Sequence, residues 1–174
     1  RGLKEEALRE LAIELNKNHA LALFKRGTVK CMQRDLAGGI ADLDRAIELD
    51  SGYALAYLNR ALARQERGDL AGAIADYDRA IELDGGSAEA YNKRGMAKGV
   101  RGDLVGAITD FDRSIELQKD DPETYKNRGI VKHKQGDVAG VIADWTKALE
   151  VAPADWPSRK QLEEALKSLR ERRR

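Results

Sequence analysis

The residues best suited to acid–base, nucleophilic or metal chemistry are few: two histidines, His19 and His133, and one cysteine, Cys31. The histidines lie in different parts of the chain, Cys31 has no base near it in sequence, and no metal-ligand spacing or phosphate-binding glycine loop occurs. Cys31 reads as a small packing residue and His133 as a solvated helix residue, so neither an enzyme nor a bound cofactor or metal is expected. The chemistry that does recur is ionic. Arg26, Arg60, Arg94 and Arg128 stand 34 residues apart, and so do Asp42, Asp76, Asp110 and Asp144. A partly buried guanidinium is costly without a carboxylate. Their joint recurrence therefore predicts charge-assisted hydrogen bonds that fix one helix against another, the aspartate coming either from the same period or from its neighbour.

The elements that must hold these pairs follow the same period. "RDLAGGIADLDRAIELD" from Arg34 recurs as "GDLAGAIADYDRAIELD" from Gly68, "GDLVGAITDFDRSIELQ" from Gly102 and "GDVAGVIADWTKALEVA" from Gly136. Apolar residues such as Ile40, Leu43 and Ile47, or Ile74, Tyr77 and Ile81, recur at three- and four-residue steps, which gives a helix with one buried stripe. Asp35, Asp69, Asp103 and Asp137 stand where a carboxylate caps the start of that helix. Ahead of it lies a second helix-length run. In the third period it is capped by Ser87 and stopped by Gly102, and in the fourth it opens on Asp121 and Pro122. Each period is thus two helices joined by a tight turn, and strands are not expected. Gly38, Gly72, Gly106 and Gly140 recur early in each second helix, where glycine either permits close helix approach or has no present consequence.

The register also assigns the ends. "AIELN" at 12–16 lies 34 residues before "AIELD" at 46–50, so residues 1–19 read as the second helix of a truncated preceding unit. Units then follow at 20–53, 54–87, 88–121 and 122–155. Residues 156–174 form a terminal helix with Ser158 and Gln161 as a capping box and Leu162, Ala165, Leu166 and Leu169 on one face, covering the last open repeat surface.

Composition narrows the function. The 174 residues are 42% hydrophobic and 35% charged, with 31 Lys and Arg against 30 Asp and Glu. A net charge of +1 offers no field for steering onto nucleic acid or an acidic membrane, and the basic end "RERRR" reads as a solvated helix terminus. No apolar run is long enough to span a bilayer, and one cysteine forms no internal disulfide, which fits a cytoplasmic setting.

Residues 20–155 resemble the tetratricopeptide repeat, a 34-residue helix-turn-helix. The family's aromatic at position 4 matches Tyr57, Tyr91 and Tyr125. Its small position 8 matches Gly27, Ala61, Gly95 and Gly129, and its aromatic at position 24 matches Tyr77, Phe111 and Trp145. The aromatic at position 11 is replaced by Lys30, Arg64, Lys98 and Lys132. The resemblance implies an all-α, right-handed superhelical solenoid of antiparallel helix pairs, with a concave groove lined by first helices. In that groove it places Phe24, Lys25, Leu58, Asn59, Leu62, Lys93, Met96, Lys126, Asn127 and Ile130. Lysines there meet carboxylates, asparagine amides meet a peptide backbone, and apolar groups supply desolvation energy. The expected partner is accordingly a protein or peptide with apolar and acidic residues, held by a monomer. The family's two-carboxylate clamp is incomplete, because Phe24, Thr28 and Glu89 occupy places where clamp residues stand. The competing readings are a docking segment of a larger multidomain enzyme and a self-assembling structural array.

Overall fold

Turn chemistry divides each period into two helices. The computed structural model describes residues 2–171, and only the backbone of residues 2–10, 12 and 13. Among the described residues every regular element is a helix. One unit, Arg1–Gly85, holds α1 (Gly2–Met32), α2 (Leu36–Leu49), α3 (Ala54–Glu66) and α4 (Leu70–Leu83). The other, Gly86–Arg174, holds α5 (Ala88–Arg101), α6 (Leu104–Leu117), α7 (Pro122–Lys134), α8 (Val138–Val151) and α9 (Arg159–Glu171). The last of the basic residues, 172–174, lie outside the described residues.

A single aspartate closes one helix and opens the next. The Asp103 N–H donates to the Lys98 carbonyl at 3.0 Å, and Asp35, Asp69 and Asp137 donate in the same way to Lys30, Arg64 and Lys132. Such a bond requires a left-handed residue just before the aspartate. Gly68, Gly102 and Gly136 supply it at φ of 86°, 92° and 80°, whereas Arg34 adopts φ of 69° with a side chain attached. The aspartate carboxylate then accepts from the N–H three residues on, at 2.9 Å for Gly38, Gly72 and Gly106 and 2.8 Å for Gly140. This bond also accounts for the recurrent glycine that the sequence left open. A Cβ on Gly38, Gly72 or Gly106 would lie 2.2 Å from the second oxygen of the capping carboxylate. The space is taken by the cap, not by a neighbouring helix.

Within each unit the paired helices run antiparallel. Gly27 of α1 faces Leu43 of α2, while Cys31, a turn further along α1, lies over Gly39, a turn earlier on α2. In the second unit Gly95 faces Phe111 while Gly99 faces Ala107. The small residue on the first helix leaves room for the large one on the second. The first unit buries Leu23, Leu43, Ala46 and Ala56 together. The second buries Ala107, Phe111 and Val131 in one cluster and Tyr125, Ala148, Ala152, Trp156 and Leu162 in another. Tyr57 and Tyr91 are half-buried, each under a guanidinium 5.4 Å from the ring centre.

Both ends add detail to the register. α1 continues unbroken from Gly2 to Met32, so the first unit's leading helix carries the preceding segment as a continuous extension. The reason is local. Other junctions contain Ser51-Gly52, Gly85-Gly86 or Asp121-Pro122, but Asn16-Lys17-Asn18-His19 contains neither glycine nor proline to stop a helix. At the other end α9 packs on α8 through Leu162 and Leu166, both buried, with Ala165 and Leu169 half-buried beside them. The Arg159 guanidinium donates to the Ala152 carbonyl at 2.7 Å and the Leu149 carbonyl at 3.1 Å, satisfying the end of α8. The Ser158 hydroxyl, expected as a cap, accepts from Lys126 Nζ at 3.0 Å.

Candidate functional site

The recurrent ions come together in a ladder. In the first unit Arg26 grips Asp42 with two parallel bonds of 2.7 and 2.6 Å, and Arg60 grips Asp76 with bonds of 2.9 and 2.6 Å. In the second, Arg94 holds Asp110 at 2.8 and 2.5 Å, and Arg128 holds Asp144 at 2.9 and 2.5 Å. Every one of these pairs joins two helices of the same period. A second cation completes each carboxylate: Lys30, Arg64, Lys98 and Lys132 reach it at 2.8, 2.8, 2.9 and 2.9 Å. These are the residues that replace the family's aromatic at position 11. Their role was legible as a third member of the same 34-residue recurrence, since a buried carboxylate has oxygen lone pairs left after one bidentate contact.

The ladder extends to the previous period within each unit. Arg60 also contacts Asp44 at 2.6 Å, and Arg128 contacts Asp112 at 2.5 Å. Burial lowers the pKa of Arg60 and Arg128, but hydrogen bonds to their two aspartates prevail and raise both. The Arg26 hydrogen bond, opposed by burial and helped by Lys30, holds the Asp42 carboxyl down at about 2. Cys31 moves the other way: burial, with Glu66 and Asp35 nearby, raises its pKa and keeps the thiol protonated. The ladder therefore joins the two helices of each period through the buried carboxylates of Asp42, Asp76, Asp110 and Asp144.

The predicted groove residues stand on first helices. In the first unit Phe24 is half-buried with its ring 4.9 Å from that of Tyr53, Lys25 is exposed, and Leu62 is half-buried. Leu58 is buried and belongs to the interior. The Asn59 amide is taken up by the Leu55 carbonyl at 2.9 Å. In the second unit Lys93 and Met96 lie on α5, with Lys126, Asn127 and Ile130 on α7. All are half-buried except Ile130, which is 43% exposed.

Two hollows flank Ile130. One, of about 140 Å³, lies between α5 and α7 and is walled by Met96, Val100, Phe111, Ile130 and Val131, with Asn127 and Lys134 at its edge. The other, of about 320 Å³, is walled by Ile130 and Trp145 and closed by Ser158 and by Gln161, Leu162 and Ala165 of α9. Lys126 stands beside it, with its Nζ 5.5 Å from the Trp156 ring centre and an ion pair to Glu123. Burial raises the Glu123 pKa, but the Lys126 and Trp156 hydrogen bonds and the Lys93 charge win and hold it below the usual carboxylate range. The α9 wall was absent from the sequence-derived set. Gln161 lies 34 residues beyond Asn127, so continuing the period past residue 155 would have found it.

A family model described as TPR repeat matches residues 65–99. No curated protein matches the chain in sequence. Among solved structures, MamA superposes with a TM-score of 0.74 at 24% identity, covering 82% of this chain and 83% of that one. The first TPR of Spaghetti (RPAP3), bound to the HSP90 peptide SRMEEVD, gives a TM-score of 0.68 at 23% identity over 69% of this chain and 95% of that one. The Arabidopsis OM64 TPR domain gives 0.67 at 21% identity, over 68% and 98%. At these identities the likeness establishes the fold.

Proposed function

This chain is built from tetratricopeptide repeats, and from that premise we propose that it is a protein-interaction module whose first-helix face binds a peptide or partner helix carrying apolar and acidic residues. The observation that carries the reading is Ile130, exposed on α7 between two apolar hollows. An apolar surface of this kind, with carboxamides at its edge, gains by covering its apolar atoms and hydrogen-bonding a backbone. Lys134 lines the first hollow and Lys126 the second, which favours an acidic partner. A related fold holding the acidic peptide SRMEEVD supports that choice. A chaperone tail is not the partner proposed here, because Phe24, Thr28 and Glu89 interrupt the clamp.

The test is a pull-down from extracts of the source cells with the parent chain and with Lys93→Glu and Ile130→Asp variants. Retention of the helical fold is checked by circular dichroism. Loss of a common partner from both variants is the expected result. An unchanged partner set would place binding on another surface.

A further inference from the structure

We infer that α1 is a dimerisation helix, through which two copies of this chain pair in antiparallel order.

Leu11, Leu15, Asn18, Ala22, Lys25, Val29 and Met32 follow one another along α1 at steps of four and three, and every one is exposed. The apolar members Leu11, Leu15, Val29 and Met32 are between 50% and 80% exposed. A heptad stripe kept up over three repeats is the seam of a coiled coil. The face that α1 turns to α2 carries Leu23, Gly27 and Cys31 instead, and at about 100° per residue it lies on the other side of the helix. A partner helix on the stripe leaves that packing intact.

Later periods show that this face belongs in a helix contact. Ala56 and Ala63 on α3 occupy the repeat positions of Ala22 and Val29, as Thr124 and Val131 do on α7, and all four are buried. There α2 packs on α3 and α6 on α7. In the first period the segment corresponding to that covering helix is residues 1–19, and it cannot fold back onto Ala22 because α1 runs through it without a break. A second copy supplies the same segment. Leu15 lies 34 residues before Leu49, which packs against the cluster holding Ala56, the counterpart of Ala22. Antiparallel pairing carries Leu15 of one copy to Ala22 and Lys25 of the other, so the contact made within the chain by α2 and α3 is made here between chains.

Charge sets the direction. A parallel pair stacks Lys25 on Lys25 and Asn18 on Asn18, with like charges in contact. An antiparallel pair centred on residue 20 sets Leu11 against Val29 and Asn18 against Ala22, and Leu21 meets Leu21 at the two-fold axis. Lys25 then lays its stem over Leu15 and brings its ammonium to Glu14. Each contact occurs twice, and the pair is closed, so it does not grow into an array.

The test is sedimentation equilibrium of the full chain between about 1 and 200 μM, where the mass should rise to that of a dimer. Leu15→Glu and Val29→Glu, both at exposed positions, should each weaken the dimer about tenfold or more while circular dichroism stays unchanged. Glu14→Lys or Lys25→Glu alone should weaken it about fivefold, and the two together should restore the parent affinity. On a Cys31→Ala background, Leu21→Cys should form an intermolecular disulfide and Asn18→Cys should not, because only residue 21 meets its own copy in the antiparallel pair. A chain that stays monomeric over the whole range, or a dimer indifferent to Leu15→Glu and Val29→Glu, would overturn the pairing through α1. Cross-linking of Asn18→Cys in place of Leu21→Cys would overturn the antiparallel order. A monomer that takes up a different protein through Leu15 and Val29 would overturn the second copy as the occupant.

Discussion

Arg128 has two carboxylate partners in very different surroundings, and their energies can be separated. Its contact with Asp144 is two-pronged and deep, the side chains being 17% and 4% exposed, while Asp112 on its other side is 51% exposed. Removing one member of a buried, hydrogen-bonded pair costs about 3 kcal/mol or more, mostly for the charge left behind. Lys132 stays on Asp144 when Arg128 is removed, at 2.9 Å, and relieves part of that cost. The expected coupling energy between Arg128 and Asp144 is therefore about 2 kcal/mol, against less than about 1 kcal/mol between Arg128 and Asp112. The assay is a pair of double-mutant cycles, with Arg128→Ala, Asp144→Ala and Asp112→Ala, read by urea unfolding with circular dichroism. Repeating both in 1 M salt adds a second criterion. There the screening length falls to about 3 Å, so the Asp112 coupling should vanish while most of the Asp144 coupling survives. Equal couplings, or a common loss in salt, would refute the view that the intra-period pair sets helix register.

Three further outcomes follow from particular contacts. Gly129→Ala should destabilise the chain by about 1–2 kcal/mol, because overpacking outweighs the gain of about 1 kcal/mol in helix propensity. Its Cβ would lie 2.3 Å from the Trp145 indole nitrogen, whereas the nearest ring atom at Gly95 is 3.0 Å away; thermal melts of both variants should therefore show the smaller loss for Gly95→Ala. Arg34→Gly should raise the melting temperature by about 2–4 °C, since releasing a side chain from the left-handed region gains about 1 kcal/mol and the exposed Glu66 pair lost with it is worth only a few tenths. Asp42 has a depressed folded pKa of about 2, so its stabilisation is present above the unfolded value of about 3.9 and is lost as pH falls through this window. It amounts to at most about 2 kcal/mol, given how exposed Arg26 is. Urea midpoints measured between pH 6 and 2 should fall less steeply in Asp42→Asn than in the parent, and parallel curves would exclude this role for Asp42.

The four-fold recurrence carried much of the fold by itself. Asp35, Asp69, Asp103 and Asp137 mark the second helices because a capping carboxylate acts on N–H groups three residues away, a local interaction that leaves a local signature. The Arg and Asp rows were likewise legible as pairs, since neither charge is tolerated alone when partly buried. Their partner choice was not, because an aspartate of the same period and one of the neighbouring period are equally plausible until helix crossing brings one within 3 Å. Tertiary structure made that choice and added Lys30, Arg64, Lys98 and Lys132 to the same carboxylates. It also buried Leu58, turned the Asn59 amide back onto its own helix and left Ile130 exposed between two hollows. Residues sharing a repeat position differ in exposure according to what packs beside them. The wall that α9 gives the second hollow depends in the same way on distant contacts, Lys126 with Ser158 and Glu123 with Trp156, which no local pattern encodes.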